Sequence, residues 1–229
     1  MKKGMSEMPG LADRSTGWNR WSQGKLLALL ATGLLAVPTT ASAFTLDFEG
    51  IADNSPILDS YIGVGVTFSA GATALIDSDV LPPGTGTGNF EGEPSPDTIM
   101  ALIGVNSVTL NFASGFTDFS FYFTALDTGS FSIFSDVDGH GILVGGGDLF
   151  ANSIGCESSP AFCVFEQITV ADTNILGAFI GRSIVFSGQA DLFGFDDIAL
   201  TPVPLPAAAW LLLSGLAGIG VFGRRRAAA

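Results

Sequence analysis

The sequence predicts an all-β protein, an antiparallel β-sandwich of jelly-roll type flanked by an N-terminal signal helix and a C-terminal transmembrane helix. Three observations lead there. Apolar and polar residues alternate with period two in short segments between residues 44 and 202, and Gly, Asp, Asn and Ser separate those segments. No stretch of that region carries the 3.6-residue period of an amphipathic helix. Phe is concentrated there, with 18 of the chain's 19 between Phe44 and Phe195, as a core between two sheets requires.

In chain order the predicted strands are 44–50 (FTLDFEG), 65–70 (GVTFSA), 107–113 (SVTLNFA), 116–125 (FTDFSFYFTA), 130–136 (SFSIFSD), 163–170 (CVFEQITV), 183–188 (SIVFSG) and 193–200 (FGFDDIAL). In 116–125, Phe119, Phe121 and Phe123 fall on one face and Ser120, Tyr122 and Thr124 on the other. Val108, Leu110 and Phe112 form a second stripe of the same kind. Residues 81–96 (LPPGTGTGNFEGEPSP) read as a long surface loop, and Gly145-Gly146-Gly147 as a turn.

Charge is distributed unevenly. The 229 residues carry a formal net charge of −13, from 9 basic and 22 acidic residues. Of these, 20 acids but a single cation, Arg182, lie within residues 44–202. A nucleic-acid binder sets Lys and Arg against phosphate, so this composition excludes that class. The other cations sit at the ends: Lys2, Lys3, Arg14, Arg20 and Lys25, then Arg224, Arg225 and Arg226.

Those ends are membrane-handling segments. Residues 1–43 read as a secretory signal peptide: a basic n-region to Lys25, the apolar run LLALLATGLLAV, and the small-residue site Ala41-Ser42-Ala43, with cleavage before Phe44. Residues 44–202 form the exported domain. Residues 203–229 begin with Val203-Pro204-Leu205-Pro206-Ala207, continue as an apolar helix near the lower limit for a membrane span, and stop at Arg224-Arg225-Arg226. The positive-inside rule keeps the arginines cytoplasmic and the middle outside.

This tail resembles the PEP-CTERM sorting signal of Gram-negative bacteria in its VPLPA form, with Leu205 where the commonest form has Glu. The resemblance covers residues 203–226. It implies the export machinery, signal peptidase and an exosortase as partners. It also implies an inner-membrane intermediate, then release to the cell surface or the extracellular matrix. Three pieces of the middle, LDFEG at 46–50, GVTFS at 65–69 and FDDI at 195–198, are similar to domains common in such proteins. They are also similar to the first and last strands of carbohydrate-binding jelly rolls.

Cys156 and Cys163 are both exported, and in an oxidising compartment they are expected to pair. Twenty carboxylates beside one arginine cannot all be in ion pairs, and extracellular calcium suits oxygen-rich sites. In jelly-roll binding modules a structural calcium often joins the first and last strands. That resemblance points to Glu49 and Asp197 as ligands here. Asp196 and Asp197 face opposite ways in a regular strand, so only one joins such a site unless a bulge intervenes. The segment 136–141 (DVDGHG) begins like a calcium loop but fails the EF-hand pattern, and reads as a tight turn.

Catalytic signals are weak. His140 is the chain's one histidine, and no G-x-S-x-G elbow or phosphate-cradling motif occurs. The main reading is an exported, non-enzymatic protein of the cell surface or an exopolysaccharide matrix, with a structural or interaction role. The alternatives are a carbohydrate-binding module, in which Tyr122 stacks on a sugar, or a secreted hydrolase. The exported region has no Trp, which reduces its means of stacking on sugars.

Overall fold

A computed structural model describes residues 42–79, 85–157, 161–170 and 180–203. The signal helix, the sorting helix, Pro204–Ala207 of the motif and the Arg224–Arg226 cluster lie outside these residues. Among the described residues no helix is long and apolar enough to cross a membrane.

The regular structure of the described residues is almost entirely strand: β1 (Phe44–Leu46), β2 (Ser55–Pro56), β3 (Val66–Phe68), β4 (Ala72–Ile76), β5 (Thr98–Leu102), β6 (Ser107–Ala125), β7 (Gly129–Phe134), β8 (Leu143–Leu149), β9 (Glu166–Val170), β10 (Gly181–Ser187) and β11 (Phe193–Pro202). Two 3-10 turns, Ile62–Val64 and Val137–Gly139, interrupt it. Every pairing between these strands is antiparallel.

β6 organises the sandwich. Its first half pairs with β3 and β10, and its second half with β9 and β11. One layer therefore runs β3–β6–β10–β7–β8. The other runs β9–β6–β11–β5–β4–β2, with β1 beside β11. The two predicted strands 107–113 and 116–125 are this single strand. Their inward stripes are out of phase: Val108, Leu110 and Phe112 are even-numbered, Phe119, Phe121 and Phe123 odd. A bulge absorbs the slip, and Gly115 there has φ 83°. A Cβ at Gly115 would meet Ile180 Cγ2 at 2.6 Å, so space also demands glycine.

The facing layers meet through phenylalanine rings. Phe121 of β6 packs edge-on against Phe131 of β7 at 5.3 Å and Phe186 of β10 at 5.4 Å. Phe186 and Phe195 of β11 have centroids 4.5 Å apart. All four are buried, and each contributes about 1.5–3 kcal/mol by its removal from water.

Three expectations are corrected. The first strand ends at Leu46, because Phe48 takes φ 61° to turn its ring into the core. The triglycine run is not a turn but the centre of β8. Residues 81–96 are not merely surface: Phe90 and Ser95 are buried, and Phe90 forms a bridge to Phe162. Residues 85–96 and Phe162–Phe165 cover part of the second layer's outer face, leaving a cavity of only about 40 Å³ among Leu75, Phe90, Ile99 and Phe162.

Candidate functional site

The acidic corner predicted from sequence exists, but its wiring differs. Glu49 follows the turn at Phe48 and is directed at the start of β5. Its Oε1 accepts the backbone N–H groups of Asp97 and Thr98 at 3.0 and 2.8 Å, and Oε2 accepts the Thr98 hydroxyl at 3.3 Å. Asp47 Oδ1 accepts the Glu49 N–H at 3.3 Å and the Tyr61 hydroxyl at 3.4 Å. The Tyr61 oxygen in turn accepts the Phe48 N–H at 2.6 Å, and burial raises the phenol's pKa.

A register shift between Asp196 and Ala199 separates the paired aspartates, and Asp197 adopts φ 45°. Asp196 is fully buried. It accepts the Ser95 N–H at 3.0 Å, lies 2.8 Å from the Ser95 hydroxyl through each oxygen, and accepts the Asp197 N–H at 2.7 Å. Burial pushes its pKa up to about 7, against these donors, which favour the charged form. Asp197 is half-buried, and its pKa is raised by burial and then by the charges of Asp47 and Glu49. Glu49 and Asp197 are thus close enough to repel. Among the described residues no group of three or more His, Cys, Asp or Glu side chains is arranged to hold a metal ion.

A second carboxylate group is formed by Asp77, Asp79 and Glu93. Asp77 is buried, and its pKa is pushed up to about 6 by burial and by the Asp79 carboxyl bonded to it. Glu93 is pushed up to about 7 by burial, and the charges of Asp77, Asp79 and Asp97 add to this.

Cys156 and Cys163 form a disulfide, with Cα atoms 5.8 Å apart. The 136–141 segment is a turn: Asp136 caps the Val137 N–H at 2.8 Å, and Asp138 takes φ 57° and hydrogen-bonds Asn111 at 2.7 Å. Tyr122 lies on the face opposite Phe121 and Phe123, half-buried, in register with Gln167 and Asp196. Val203 donates its N–H to Gly115 O at 3.0 Å, which ties the start of the sorting motif to the β6 bulge.

The outer face of the first layer was not singled out from sequence. The ladder registers align Ser107, Ser187, Ser130 and Asp148 in one row, and Thr109, Val185, Ser132 and Gly146 in the next. Asn111 and Thr67 extend the next row. Ser183 in that row is buried, donating to Asp136 O at 2.6 Å under the turn. Asp148 is the one charged residue in the first two rows. An open groove of about 420 Å³ runs along this edge, lined by Ser130, Ser132, Leu143, Val144, the three glycines and Asp148. The signal was present as hydroxyl residues at alternate positions of SVTLN, SFSIFS and SIVFS.

No protein-family model matches the chain, and no curated protein matches it. Solved structures do. A family 6 carbohydrate-binding module, studied for its binding sub-sites, is 16% identical, covering 72% of this chain and 95% of its own, with a TM-score of 0.34. A xylan-binding domain from CBM 22 is 9% identical over 74% and 99%, with a TM-score of 0.36. The tobacco streak virus coat protein is 16% identical over 75% and 93%, with a TM-score of 0.26. TM-scores this low carry no site from those proteins to this one.

Proposed function

We propose that this chain is an exported cell-surface or matrix protein whose β-sandwich binds neutral polysaccharide without catalysis. One observation carries the binding reading: the hydroxyl rows of the first layer and their open groove, nearly free of charge on a domain with 20 carboxylates. Hydroxyl and amide side chains exchange hydrogen bonds with sugar hydroxyls, while the surrounding negative charge disfavours polyanions. The order of signal peptide, domain, Val203–Ala207 motif, apolar helix and arginines supports export and exosortase processing.

A glycan array of neutral and acidic polymers tests the binding. Saturable binding confined to neutral glycans supports it; no binding to any glycan leaves a scaffold without a sugar ligand. Mass spectrometry of both mature termini tests the sorting. A start at Phe44 and a cut near Pro204–Ala207 are expected, and an intact C-terminus at Ala229 overturns the exosortase reading.

A further inference from the structure

Among the described residues β8 ends its layer, hydrogen-bonded to β7 alone. An edge strand leaves half of its backbone groups without ladder partners, and proteins usually guard such edges with charge or proline. Here the edge carries Gly145, Gly146 and Gly147, and between Gly139 and Phe150 the only acid is Asp148. The glycines have an internal reason: a Cβ at Gly146 would meet Phe131 O at 2.6 Å, and one at Gly147 the Phe131 ring at 3.1 Å. Among the described residues no contact explains the strand's two ends. Ile142, Leu143 and Phe150 are 73%, 60% and 68% exposed.

We infer that β8 is a homodimerisation edge, pairing antiparallel with β8 of a second copy about a two-fold axis at Gly147. A register shift at Val144 leaves Gly145–Leu149 as the regular stretch, and Gly147 is its midpoint. In that register Phe150 of each copy lies opposite Val144 of the other, an aromatic–β-branched cross-strand pair. Asp148 lies opposite Gly146, so no two carboxylates meet. The apolar ends, at opposite ends of one strand, become neighbours only when the partner runs antiparallel, which is the self-complementarity of a two-fold interface. Charge selects the same occupant. Two copies of so acidic a domain repel over most of their surface, whereas Asp148 is the one acid between Gly139 and Phe150. The bare glycine backbone lets the second strand approach without side-chain obstruction.

The test is the protein mass of the full chain in detergent by light scattering, at about 1–100 µM. Wild type is expected to reach the mass of two chains. Leu143→Asp with Phe150→Asp, both at exposed positions, is expected to give the mass of one chain with unchanged far-UV circular dichroism. Leu58→Asp, exposed on another part of the domain, is expected to keep the mass of two. A single-chain wild type overturns the inference. So does a Leu143→Asp/Phe150→Asp variant that still pairs, or an assembly larger than two.

Discussion

Ser95 and Asp196 are 101 residues apart in sequence, yet the Ser95 hydroxyl lies 2.8 Å from both Asp196 carboxyl oxygens and 3.1 Å from the Asp47 carbonyl. One side chain thus ties the 85–97 segment to the end of β1 and to β11. Ser95→Ala removes this link and leaves a buried carboxyl short of a donor. A loss of about 1–3 kcal/mol is expected in denaturant unfolding. An unchanged midpoint refutes the latch.

Stability should fall as pH rises. Burial raises the pKa of Asp196 to about 7, Glu93 to about 7 and Asp77 to about 6. Their unfolded values are about 3.9–4.3. A carboxyl with a raised folded pKa binds its proton more tightly when folded. That stabilisation is complete below about pH 4 and is lost as pH rises through 6 and 7. The melting temperature is expected to be higher at pH 5 than at pH 8, and Asp196→Asn should flatten the difference. A profile that rises between pH 5 and 8 contradicts these assignments.

The Cys156–Cys163 bridge closes a short loop. The chain-entropy model assigns about 2 kcal/mol to such a closure. Reduction, or Cys156→Ser with Cys163→Ser, should lower the unfolding free energy by that amount and leave far-UV circular dichroism unchanged. No measurable loss shows the closure to be energetically idle.

Calcium at Glu49 and Asp197 is a separate proposal, supported by the charges of Asp47 and Glu49 acting on Asp197. A divalent cation relieves that repulsion, with water and backbone oxygens completing a weak site. The melting temperature should rise in millimolar calcium relative to chelator. Equal values in both remove the ion.

Two faces compete for a glycan. Ser132→Asp puts charge into the hydroxyl rows and is expected to weaken binding at least about tenfold, a change of about 1.4 kcal/mol. Tyr122→Ala, on the other layer, should leave binding intact. The reverse pattern moves the site to Tyr122 and the stacking mode expected from sequence.

The parts of the fold legible in the sequence are those with one buried face. β7, β10, most of β6 and the second half of β11 alternate, so the pleat writes their burial into the residue order. Even the β6 bulge was written there, as the phase slip between Phe112 and Phe119. β5 was illegible because all five of its residues are buried, which erases alternation. β8 was illegible because three glycines leave nothing to alternate. At the acidic corner, the residues Glu49, Asp196 and Asp197 were visible, but their roles depended on positive φ at Phe48 and Asp197.

Residue order alone pointed to an acidic, Phe-cored β-domain and to pairing of Cys156 with Cys163, and its terminal segments point to export. These follow from composition and local periodicity, which need no knowledge of partners distant in the chain. Folding decided which aspartate is buried, what Ser95 holds, and that scattered Ser and Thr residues of β6, β7 and β10 share one face. Each of these depends on strand order and register, set by the packing of both layers on the Phe121, Phe186 and Phe195 rings.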